Sequence, residues 1–149
     1  YIPAKYKKIV DICTTRSTER GAPLFDTNMA LSIFAAMVGY SMGEKDDSQW
    51  DRGQEIPDRI FFNSNMEGVV YLLGIEKSEG VDIFKEEKEN EPWEIFQGYV
   101  AGGLGVIDGW FTDNPGITDP TDIFINKMLD EAAGAIEEEG LETVPNVKF

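Results

Sequence analysis

Two groups of aspartates carry the residue types and spacing that could do chemistry. Asp46, Asp47 and Asp51 form one, and Asp113, Asp119 and Asp122 the other. Clustered carboxylates can hold magnesium or manganese for hydrolysis. Neither group has the ligand order of a calcium loop. In the stretch opening at Asp113 the glycine, Gly116, stands fourth, whereas an EF-hand turn needs it sixth. Asn114-Pro115-Gly116 reads as a turn, and Asp119-Pro120 as a helix cap followed by proline at the first helical position. Solvation of a helix end accounts for Asp46, Asp47 and Asp51. A carboxylate-based, metal-dependent hydrolase is therefore a minor reading, and no catalytic, cofactor or metal-binding residue is assigned.

Two further sets of residues suit recognition. Lys5, Lys7, Lys8, Arg16 and Arg20, set against Asp11 and Glu19, give residues 1–20 a net charge of +3. They are candidate nucleic-acid contacts, although a short basic stretch is also ordinary solvated surface. Trp50, flanked by Arg52 and Arg59 in the irregular stretch 44–59, is either a lid over the core or an anchor for a partner. These three are the candidate partner-binding residues.

Composition removes much else. The chain of 149 residues has no histidine, so the commonest general base, nucleophile activator and zinc ligand are missing. It contains no GxxxxGK[ST], HExxH, CxxC or GxSxG motif. The single cysteine, Cys13, points to a reducing compartment, the cytoplasm. No basic-then-apolar leader and no unbroken apolar run of about 18 residues is present, so neither a signal peptide nor a membrane span is expected. The total charge of −15 leaves −18 for the residues after 20. A body this acidic repels a phosphate backbone and suits a basic partner, although charge also serves solubility.

The elements that must position these residues are helical. Residues 92–111 place Trp93, Phe96, Tyr99, Val100, Leu104, Val106, Ile107, Trp110 and Phe111 on one broad face at about 100° per residue. Gly98, Gly102, Gly105 and Gly109 make a stripe nearly opposite. With Gly103 included, these glycines cost about 4–5 kcal/mol of helix propensity relative to alanine. Such a helix needs neighbours on both faces and another backbone close over its glycines; the alternative is a helix broken at Gly102-Gly103. A helix over 27–43 is the first candidate to lie across the stripe, with Ala35, Ala36 and Gly39 as its small residues and Met29, Ile33, Phe34, Met37, Val38 and Met42 as its core face. Helical spacing also covers Pro3 to Cys13, then 65–77 with a break at Gly80. The last helix, 120–138, sets Ile123, Phe124, Met128, Leu129, Ala132 and Ile136 towards the core. Between the flanking helices, 56–62 reads as a short extended piece and KEEKENE as a solvated charged face. The expectation is an all-α, single-domain bundle of five to six helices around a buried central helix. It has a basic N-terminal helix and loop over 1–20 and a frayed tail over 140–149.

The order of these pieces resembles the DNA phosphorothioation-associated protein 4 family, encoded beside the Dnd sulfur-modification and restriction systems. The resemblance rests on Phe25, on Thr27-Asn28, Ala30-Leu31, Phe34, Ala36, Gly39-Tyr40 and Gly43, on Arg52-Gly53 and Ile60-Phe61, and on Ile95-Phe96, Tyr99, Ala101, Gly103 and Leu104. It implies a part in phosphorothioate-linked restriction and defence against foreign DNA, with no enzymatic activity or site residue to carry over. With the acidic body, it points to a non-enzymatic accessory subunit that needs no cofactor and docks on a basic, DNA-acting partner. Direct DNA binding through the basic segment is the alternative, and self-association as a scaffold ranks below it.

Overall fold

The computed structural model describes residues 1–15, 21–77 and 89–143, with side chains described as far as residue 137. Among these residues there are six α-helices and no strand, as the periodicity predicts. They are α1 (Lys7–Thr15), α2 (Asn28–Met42), α3 (Asp58–Asn63), α4 (Glu67–Lys77), α5 (Glu91–Asp113) and α6 (Pro120–Thr143), preceded by a 3-10 turn at Ala4–Tyr6. The expected break at Gly80, most of KEEKENE and the last residues of the tail lie outside the described residues. Residues 138–143, expected as the end of the helix and the start of a frayed tail, continue α6.

Local chemistry sets the ends. The Thr27 hydroxyl accepts from the Ala30 amide at 3.1 Å and caps α2. Gly43, at φ 68°, ends that helix in the left-handed conformation, and its amide returns to Gly39 and Tyr40. Pro92 opens α5, and the Asn114 side-chain amide donates to the Trp110 carbonyl at 2.8 Å at its far end. Asp119 caps α6 through the Thr121 amide at 2.9 Å, with Pro120 as the first helical residue.

Helix α5 is continuous through Gly102-Gly103 and occupies the centre, with Ile95, Phe96, Tyr99, Val100, Leu104, Ile107 and Trp110 buried. Helix α2 lies against it along Ala35, Ala36 and Gly39, all buried. A Cβ on Gly103 would collide with the backbone carbonyl of Ala35, and one on Gly39 would collide with the carbonyl of Tyr99. The crossing therefore centres on Gly103 and not on the predicted stripe. The stripe instead takes the chain that follows α2. The Glu44 backbone lies over Gly102, and the Asp46 amide donates to the Gly98 carbonyl at 3.0 Å. Tyr6 stands over Gly105, and nothing lies over Gly109. Helical periodicity locates a face but not which backbone fills it.

Three further expectations are corrected. Residues 58–63 form α3, not an extended piece: Pro57 leads it, the Ile60 amide donates to the Pro57 carbonyl at 3.0 Å, and only Phe61 is buried. A short apolar run does not by itself distinguish strand from helix. Met37 and Met42 of α2 are exposed, because the small residues face α5. In α6 Ile123 and Phe124 join the core and Pro120 is buried at the start, whereas Met128, Leu129, Ala132 and Ile136 are exposed. The Phe124 ring packs against Phe25, Phe34, Trp110 and Phe111 at 5.4–6.0 Å, so α6 is fixed at its start.

Gly103→Ala is expected to destabilise by about 2–3 kcal/mol, because two backbones would have to separate. Gly109→Ala is expected to stabilise by about 0.5–1 kcal/mol, since its methyl enters open space in a helix interior. Urea denaturation of both variants reads the difference, and equal effects would contradict the crossing at Gly103.

Candidate functional site

The loop after α2 turns at Gly43, crosses α5 at Gly102 and Gly98 and then pairs with the N-terminal residues. The Ile2 amide donates to Gln54 O at 2.8 Å, Gly53 N to Ile2 O at 2.7 Å, and Ala4 N to Asp51 O at 2.8 Å. Gly53 is required there, because a Cβ would approach Ile2 O at 2.7 Å and Ala4 Cα at 3.0 Å. This pairing stations Arg52, whose guanidinium lies 4.7 Å from the Tyr1 ring centroid.

A cleft of about 660 Å³ lies between this loop and the first turns of α5. Trp50, Arg52, Asp46, Asp47, Glu91 and Glu94 line it. Trp50 is half-buried in its wall, so it is neither sealed under the core nor fully free. The structure brings Trp50 and Arg52 together and leaves Arg59 outside the cleft, exposed on α3.

The basic segment is partly spent on internal pairs. Lys5 Nζ reaches Asp46 Oδ2 at 3.3 Å, and Lys7 Nζ reaches Asp11 Oδ2 at 2.7 Å. Lys8 is exposed beside them, and Arg16 and Arg20 lie outside the described residues. Lys5, Lys7 and Lys8 share one wide, shallow groove with Asp11, which interrupts their positive field.

The aspartates do not converge. Asp46 accepts from the Ser48 hydroxyl, from the Ser48 amide at 3.0 Å and from Lys5, while Asp47 pairs with Lys45 at 3.1 Å. The Ser48 hydrogen bonds, followed by Lys5, hold the Asp46 carboxyl below its ordinary value. Asp113 and Asp122 are exposed, and Asp119 is occupied in capping α6. Among the described residues no group of three His, Cys, Asp or Glu is placed to hold a metal ion. Burial pushes the Cys13 thiol up to about 12, which leaves it protonated and a poor nucleophile.

A second cavity, about 500 Å³, opens beside α3 and the start of α5, lined by Phe61, Trp93, Phe96 and the buried Ser32. Neither cavity was visible in the sequence. Each is assembled from segments far apart in the chain, and only Arg52-Gly53 hinted at a constrained turn.

A family profile described as DNA sulphur modification system-associated protein 4 matches residues 2–143. The chain belongs to this family. No match is found among curated proteins or among solved structures. Membership agrees with the resemblance carried by Thr27 to Gly43 and Ile95 to Leu104, and associates the chain with a DNA sulphur modification system. Several of the resembling residues have architectural roles here. Thr27 caps α2, Gly39 and Gly103 permit the crossing, Gly43 turns the chain, and Gly53 fits against residues 2–4. No helix among the described residues is long and apolar enough to cross a membrane.

Because the Asp46 carboxyl titrates lower folded than unfolded, its contribution to stability is present above the ordinary value of 3.8 and is lost as pH falls through the folded value. Asp46→Asn is therefore expected to melt slightly below the parent at neutral pH, with the gap closing as pH falls below 3.8. A gap that widens in acid would contradict this assignment.

Proposed function

We propose that this protein is a non-enzymatic, cytoplasmic accessory subunit of a DNA modification and restriction system directed against foreign DNA. It docks its acidic surface on a basic surface of a DNA-acting protein of that system. The observation that carries this reading is the charge distribution. The chain carries −15 overall, and Lys5 and Lys7 of its basic segment are already paired with Asp46 and Asp11. Such a surface opposes DNA and attracts a cationic protein. The cleft beside Trp50 and Arg52, lined by Glu91 and Glu94 and by Asp46 and Asp47 with Lys45, supplies an aromatic anchor for that contact.

The test is co-expression with each protein of the system, followed by purification at low and high salt. The expected result is a complex that weakens as salt rises, and that loses about tenfold in affinity with Trp50→Ala. Failure to associate with any of them would end the proposal. Titration of the purified chain with duplex DNA separates the alternative. Tight, steeply salt-dependent binding that disappears when Lys5, Lys7 and Lys8 become alanine would favour direct DNA contact.

A further inference from the structure

The cavity beside α3 has in its wall a polar group that the fold leaves without a partner. Ser32 of α2 is 2% exposed, and its hydroxyl makes no hydrogen bond among the described residues. Helical hydroxyls can donate to the carbonyl one turn back, as Thr14 does to Val10 at 2.8 Å and Thr112 to Asp108 at 3.0 Å. Ser32 does not, and a buried polar atom left unpaired opposes folding. The rest of the wall is largely aromatic. The Trp93 ring meets Phe61 at 5.4 Å, Phe62 at 6.0 Å and Tyr71 at 6.3 Å, each tilted or edge-on. These rings and Ser32 line one space of about 500 Å³, within the range of sites that hold a small ligand or a side chain.

Charge selects the occupant. The exposed lining carries the carboxylates of Glu55, Asp58 and Glu89, and no lysine or arginine lines the cavity among the described residues. The Tyr1 amine is engaged with Gln97 Oε1 at 2.9 Å, and Arg52, stacked on the Tyr1 ring, lines the other cleft. Such a rim repels a nucleotide or any other phosphate. A lysine ammonium answers the carboxylates, but it is strongly hydrated and gives up water poorly against aromatic walls. A guanidinium meets all three features. Its weakly hydrated plane stacks on aromatic rings, and its several N–H donors can serve a hydroxyl and a carboxylate together. We infer that this cavity receives an arginine side chain of a protein partner. This rests on the accessory-subunit reading above and names a residue that the partner must present, at a cavity other than the Trp50 cleft.

The test uses the full chain, isotope-labelled for NMR, and blocked tripeptides with arginine, lysine or citrulline at the centre. Citrulline keeps the shape of arginine and removes its charge. The arginine peptide is expected to shift the Trp93 indole N–H resonance, identified by its absence in Trp93→Phe, with an affinity about tenfold above that of the other two. Ser32→Ala removes the unpaired hydroxyl, so it is expected to melt no lower than the parent and yet to bind the arginine peptide about tenfold more weakly. The variant Glu55→Gln, Asp58→Asn, Glu89→Gln alters only exposed positions, and it is expected to weaken binding and flatten its salt dependence. Equal binding of the citrulline or lysine peptide overturns the proposal. So does undiminished binding by either variant, or an unmoved Trp93 resonance at millimolar arginine peptide. Co-purification with the proteins of the system judges the accessory reading on its own. If the chain co-purifies with one of them while the arginine peptide leaves Trp93 unmoved, the arginine site falls and that reading stands.

Discussion

At the crossing of α2 and α5 two backbones lie too close to admit a single methyl group between them. The Ala35 carbonyl occupies the place where a Gly103 Cβ would stand, and the Tyr99 carbonyl stands in the same relation to Gly39. The contact is reciprocal, so neither helix can rotate about its axis without closing on the other. Dispersion falls off steeply with separation, and side chains of the two helices interdigitate fully only at this spacing. Glycine in a helix interior costs propensity, and that cost is offset here by the burial of Leu31, Val100, Leu104 and Ile107 around the crossing.

Much else follows from that contact. Once α2 is fixed on α5, Gly43 can only deliver the chain onto Gly102, and the Asp46 amide then finds the Gly98 carbonyl. Residues 51–54 are carried to the N-terminal residues, where Ile2 and Ala4 exchange backbone hydrogen bonds with them. Lys5 thereby comes within reach of Asp46. The cleft beside Trp50 is thus a consequence of how closely two helices approach some distance away. The aromatic cluster around Phe124 plays the corresponding part at the other end of α5 and sets the direction in which α6 departs.

The sequence made some of this legible and hid the rest for identifiable reasons. The buried face of α5 was readable because its large residues recur at helical period, and the ends of α2 because Thr27 and Gly43 have specific backbone partners. The position of the crossing was not readable. Gly98, Gly102, Gly105 and Gly109 repeat at helical period just as a packing stripe would, whereas Gly103, set beside them, is the residue that meets α2. The misreading of 58–63 has another origin, because consecutive Ile60, Phe61 and Phe62 fit either period when only one of them is to be buried. The cleft depends on contacts between residues far apart in the chain, such as Ile2 with Gln54 and Asp46 with Gly98, and no local pattern encodes them. The basic residues near the N-terminus are plain in the sequence, but the pairing of Lys5 with Asp46 is a property of the fold.

Helix α6 is the element in which amphipathic pattern and packing part company. A hydrophobic stripe in a sequence states that a face avoids water, not that the same molecule covers it. Ile123 and Phe124 are buried in the core, whereas Leu129 and Ile136, which lie on the opposite face of the same helix, are exposed. On the proposed reading, the acidity of the body acts at long range. It keeps copies of the chain apart, discourages contact with DNA itself, and speeds encounter with a cationic protein that does hold DNA.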